Sequence, residues 1–239
     1  VIQTKQIGNY RVEVFYDEDP TNPREDENLS TMVCFHNRYN LGDEHDYKSN
    51  DFDSWDDLKS KIIKDHNGMG IIRDLYLFDH SGISISIRPF GCSWDSGQVG
   101  FIFVPMEDVR KEYNVQRTNS VVLDDLERKL QQEVETYDKY LRGECYGYSI
   151  SKVTTCEFGH EHVEGMEVCG DYLDLEQCIS DGESSIKWFD EKEQEVSKSR
   201  DMVIRRERKE TTKFLFFLGS VHELGRKPTM FLIDLCLVL

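Results

Sequence analysis

Five residues in the first hundred could share chemistry: His36, Asp43 and His45 in "CFHNRYNLGDEHD", then His80 and Asp95 at later turns. Carboxylates and imidazoles converging at strand ends can hold a divalent cation. They can equally supply the acid and base of a hydrolysis. The same residue types also build Asx turns and helix caps. The chain holds no H-E-x-x-H, G-x-S-x-G, Walker or dinucleotide motif that would decide between these readings. Arg38 stands among acids and reads as an organiser of ion pairs. A second constellation is Cys156, His160, His162 and Cys169 in "CEFGHEHVEGMEVC". Two thiols and two imidazoles within fourteen residues suit tetrahedral zinc, although the spacing matches no standard zinc module. Read without metal, the segment is an acidic hairpin. In "PFGCSWDSGQVGF", Phe90 and Trp94 either floor a pocket or, as the expected arrangement, Trp94 packs as a lid on the core.

These residues need a scaffold, and 239 residues are enough to bury one. A charged fraction of 31% beside 38% hydrophobic residues predicts a polar globular protein. With 46 acidic and 29 basic side chains the net charge is −17. Such a surface repels nucleic acid and anionic membranes and attracts basic partners, including proteins that normally grip nucleic acid. Direct nucleic-acid binding and membrane insertion are therefore not expected. The greasiest stretches, "FLFFL" (214–218) and "MFLIDLCLVL" (230–239), fall short of a membrane span. Seven cysteines, an odd number without C-x-x-C, predict reduced thiols in a cytoplasm.

Patterning predicts an α+β fold, with a mainly antiparallel sheet and a long amphipathic helix packed on it. Alternation in "NYRVEVFY" predicts a strand that ends at the acidic, proline-broken loop "DEDPTNPREDE". Strands follow at "TMVCFH", in a hairpin across "IIRDLYLFDHSGISISIRPF", at "QVGFIFV" and at "CYGYSISKV". Helices are predicted from Ser54 to Gly68 and from Asn119 to Arg142, with Gly143 as a stop. The expected organisation is a core domain over 1–150, an acidic Cys/His region over 151–195, and a basic helix with an apolar end over 196–239. Between Glu144 and Glu195 there are 14 acids and three bases; between Lys198 and Lys213, seven bases and three acids. The second block either neutralises the first or forms a separate contact surface.

"NPRE" (22–25), "NLSTMVCFHNRYNLGDEHDY" (28–47), "LYLFDHSGISIS" (75–86), "CSWDSGQVGFIFV" (92–104) and "EVETYDKYLRGECYGY" (133–148) resemble an uncharacterised family of proteins encoded by bacteriophages and related mobile elements. The likeness covers roughly residues 10–150 and implies a phage setting; it carries no functional residues. Setting and charge together predict a binding protein in the cytoplasm of the bacterial host. It would inhibit an antiviral defence effector, in the manner of an anti-CRISPR. Its partner would be a basic nucleic-acid-binding complex, met by Asp17, Glu18, Asp19, Glu25, Asp26 and Glu27 of the first acidic loop. The alternative is a metal-assisted hydrolase or nucleotide-processing enzyme built on the Asp/His turns, with zinc as the cofactor to consider at the Cys/His cluster.

Overall fold

The computed structural model describes residues 1–223, with side chains to Lys213. The apolar segment 230–239 and Cys236 lie outside the described residues. The fold is α+β, as patterning predicts, but it is built on two four-stranded antiparallel sheets rather than one. The first has the order β1 (Gln3–Ile7), β2 (Tyr10–Tyr16), β7 (Tyr146–Thr155), β8 (Glu161–Tyr172). The second has the order β3 (Thr31–Cys34), β6 (Ser96–Pro105), β4 (Gly70–Asp79), β5 (Ile83–Ser86).

Both faces of the second sheet are covered, because its central strand β6 is apolar on both sides. Ile102 and Val104 point to one face, where Leu126, Leu130, Val134 and Tyr137 of α3 (Ser120–Leu141) meet Met32, Leu75, Leu77 and Ile85. Phe101 and Phe103 point to the other, against Leu58 and Ile62 of α1 (Trp55–Asp65). Both helices start where they are expected to and are capped there: the Ser54 Oγ accepts from Asp57 N at 3.2 Å, and the Asn119 Oδ1 from Val122 N at 3.0 Å. A short helix α2 (Met106–Glu112) follows β6 and buries Val109. Gly100 lets β3 and β6 approach. A Cβ there would sit 2.0 Å from the Val33 carbonyl oxygen, which is backbone and cannot step aside. Gly100→Ala is expected to lower stability by about 1–3 kcal/mol, read as a shift of the denaturant midpoint at unchanged slope.

The first sheet packs one face on α4 (Leu175–Glu223), a 49-residue helix. Cys178 and Ile186 are fully buried there against Tyr10, Val12, Tyr148 and Ile150, with Ile179 and Phe189 beside them. This arrangement corrects the expected organisation. A boundary at 150 would cut β7, which pairs with β2 from Tyr146 to Lys152 and continues to Thr155 against β8. A boundary at 195 would cut α4. Instead, the N-terminal hairpin joins β7, β8 and α4 in one half, and residues 31–141 form the other.

Burial separates the thiols into two classes. Cys34, Cys145 and Cys178 are buried, while Cys92, Cys156 and Cys169 are partly open. Burial, reinforced by nearby Asp43, pushes the Cys34 thiol up to about 12; burial, then Cys169 and Asp181, pushes Cys178 up to about 11. The folded state therefore holds these thiols protonated where an unfolded chain ionises them. Their contribution to stability is present below the ordinary thiol pKa of about 8.5 and falls as pH rises towards about 12. Native alkylation at pH 8 is expected to label Cys92, Cys156 and Cys169 and spare Cys34, Cys145 and Cys178. Peptide mass mapping reads this directly, and melting temperatures should decline above pH 9.

Candidate functional site

The five Asp/His candidates divide. His36 and Asp95 reach one cleft of about 370 Å³ where β3 and β4 end and β6 begins, with Arg38, Asp79, Trp94 and Gln98 also lining it. His80 stands beside it, its Nδ1 3.4 Å from Asp95 Oδ2. Within the cleft the groups already serve one another. The His36 ring stacks on Tyr39 at 4.9 Å, and its Nδ1 accepts from the backbone N–H groups of Arg38 and Tyr39, both at 3.3 Å. A neutral His36 thus carries its proton on Nε2, which faces Asp79 Oδ2 at 3.9 Å, too long for a hydrogen bond. Asp79 is itself ion-paired to Arg38 and accepts from the Tyr39 hydroxyl at 3.4 Å. An imidazole whose Nδ1 is occupied by backbone and whose Nε2 faces an engaged carboxylate is poorly placed to take a substrate proton.

Asp43 and His45 belong elsewhere. Asp43 binds the Arg24 guanidinium through both oxygens, at 2.7 Å each, and accepts from Met32 N at 2.8 Å. The turn that carries it depends on Gly42, whose φ is +74° and where a Cβ would meet the Met32 carbonyl oxygen at 2.5 Å. His45 contacts the Cys34 carbonyl through Nε2 at 3.1 Å and meets the Phe35 ring edge-on at 5.2 Å. Trp94 corrects its expected role as a lid: it is 94% exposed, while Phe90 packs on Phe78 at 5.7 Å.

The Cys/His tetrad is not assembled. Cys156 and His160 sit at the turn between β7 and β8, with Cys156 N donating to the His160 carbonyl at 3.0 Å. His162 pairs with Thr154 just inside the hairpin, whereas Cys169 pairs with Tyr148 seven residues further along β8. At about 3.3 Å per residue that separation is roughly 20 Å, several times what one metal ion can bridge. Among the described residues no group of three or more His, Cys, Asp or Glu side chains is arranged to hold a metal ion.

What the fold does build is the acidic loop between β2 and β3. Glu18, Asp19, Glu25, Asp26 and Glu27 are exposed. Asp17, expected among them, is partly buried and serves as an anchor: its Oδ2 accepts from Asp171 N at 3.0 Å and its Oδ1 from Asp19 N at 3.2 Å. Thr21 donates through N and Oγ1 to the Asp171 carboxylate at 2.6 and 3.1 Å. The deepest anchor is Arg24, whose side chain is 2% exposed. Besides Asp43, it donates to Glu133 of α3 at 3.0 Å and to the Ser30 carbonyl at 2.8 Å. Burial alone would depress the guanidinium; hydrogen bonds and charge from Asp43 and Glu133 outweigh this and raise its pKa. The one sequence signal for this anchor is that Arg24 is the only base between Arg11 and Arg38, in a run of acids. Among the described residues no helix is long and apolar enough to cross a membrane. No family model, no curated protein and no solved structure matches the chain.

Proposed function

We propose that this is a binding protein that presents acidic surface to a basic, nucleic-acid-binding partner, and that the partner is a bacterial antiviral defence effector which it inhibits in the host cytoplasm. The observation that carries the reading is the loop: five exposed carboxylates on a segment pinned at three points to the body. A loop ordered before binding loses less conformational entropy on contact, so its charge is converted into affinity more fully. Net charge of −17 adds long-range attraction and fast encounter with a basic groove. The defence setting rests on the resemblance to phage-encoded proteins. Trp94, exposed beside Arg38 at the other end of β3, supplies an apolar anchor of the kind that fixes specificity. Affinity capture from a lysate carrying a defence complex tests the proposal. The wild-type chain should retain a nucleic-acid-binding effector and block its cleavage of target DNA. Capture without inhibition, or no capture, counts against it.

A further inference from the structure

A basic block over 198–213 can neutralise the acidic region before it or meet a partner of its own, and the fold shows no such neutralisation. The last residue of α4 tied to the first sheet is Glu193, which pairs with Lys152 at 2.5 Å. Every residue from Gln194 to Lys213 is exposed. Among the described residues, none of the seven bases between Lys198 and Lys213 pairs with the body; the ion pair of this arm joins Arg206 to Glu210, one turn along the same helix. The bases are also not scattered around the helix. At 3.6 residues per turn, Lys198, Arg205, Arg206, Lys209 and Lys213 fall within one sector of about 100°, with Met202 as its remaining member. Asp201 and Glu210 lie outside that sector, and Glu207 falls on the opposite side with Arg200. The stripe of bases runs about 22 Å along the axis and contains no acid.

We propose that this stripe is a nucleic-acid contact, laid along a phosphate backbone. Its chemistry selects that ligand. Met202, 65% exposed, is the sole apolar side chain in the sector, so a protein partner finds no anchor there to fill a pocket. An anionic membrane finds no Trp, Phe or Leu to bury. Phosphate contact needs only cations, because each phosphate neutralised releases condensed counterions, and a duplex offers one charge per about 1.7 Å of axis. Net charge of −17 speaks against nucleic-acid binding by the chain as a whole, but it does not govern the arm. Arg205 lies twelve residues beyond Glu193, about 18 Å, which is more than two Debye lengths at physiological salt. The body's repulsion is therefore largely screened where most of the stripe lies. In the complex proposed above, the ligand is the nucleic acid that the effector carries: the acidic loop meets protein while the arm meets phosphate.

Fluorescence anisotropy of a labelled DNA duplex titrated with the full chain tests this without the effector, so its failure is distinct from a failure of effector capture. Wild type should bind whatever the duplex sequence. Four or five phosphates neutralised predict a slope of log K against log salt of about −3.6 to −4.5. Arg205→Glu, within the stripe, should weaken binding about fivefold or more. Arg200→Glu changes the net charge by the same amount on the opposite side and should stay within about twofold of wild type. Both side chains are exposed and far from the body, and unchanged far-UV circular dichroism confirms the fold. No binding near 0.1 M salt overturns the proposal, as do equal losses in the two variants, which would reflect net charge alone. Two further outcomes overturn it. One is tighter binding to phosphatidylserine vesicles than to the duplex. The other is self-association of wild type, seen by sedimentation and lost in Arg205→Glu, which would seat the stripe on the acidic loop of a second copy.

Discussion

Arg24→Ala is expected to cost about 3–5 kcal/mol of stability, a large fraction of what a chain of this size has. The substitution removes the cation that faces both Asp43 and Glu133, whose side chains are 18% and 16% exposed. Two partly buried carboxylates would then be left facing each other and the Ser30 hydroxyl, which already contacts Glu133. The Met32 amide and the Ser30 carbonyl tie the same network to the start of β3, so the damage reaches the second sheet. Arg24→Lys keeps charge but cannot grip both Asp43 oxygens in a planar fork, and it should recover only part of the loss. Urea unfolding followed by tryptophan fluorescence measures all three proteins. A loss below about 1 kcal/mol for Arg24→Ala would mean that the network is not what holds the loop.

Much of the second sheet was legible beforehand because its signals are local. Ser54 and Asn119 stand at the starts of the helices expected to begin there, and the Ile83–Ser84–Ile85–Ser86 alternation forms β5. The first sheet was harder to read. Its strands come from the two ends of the described chain, β2 pairing with β7 across some 130 intervening residues, and no local pattern announces such a partnership. β8 is exposed over most of its length, and its apolar residues Val163, Met166, Val168, Cys169 and Tyr172 do not follow a period of two, so its alternation is weak. α4 was obscured by composition: its core-facing residues are spaced among acids, and a block of bases follows, which reads as charge blocks rather than as one helix. At the candidate sites, residue type was informative and convergence was not. His36, His80 and Asp95 do gather at one end of a sheet, but Asp43 was claimed by Arg24, and β-hairpin register carried Cys169 away from its supposed co-ligands.

The second large effect concerns binding. Asp19→Lys, Glu25→Lys and Asp26→Lys together change the loop by six charge units while leaving each anchor (Asp17, Thr21, Arg24) in place. All three side chains are exposed, so folding should be nearly unaffected. Affinity for a basic groove should fall on the order of 100-fold or more at low salt, because attractive pairs become repulsive ones. The on-rate carries much of the loss, since steering by opposite charge accelerates encounter. The most direct test of the account is the equilibrium binding of wild type and this triple variant to the captured effector, each at low and at high salt. Electrostatic engagement by the loop predicts tight wild-type binding that weakens steeply with salt, and a variant that binds poorly at both. Equal affinity in all four measurements would contradict it, and would place whatever holds the partner on apolar surface away from the loop.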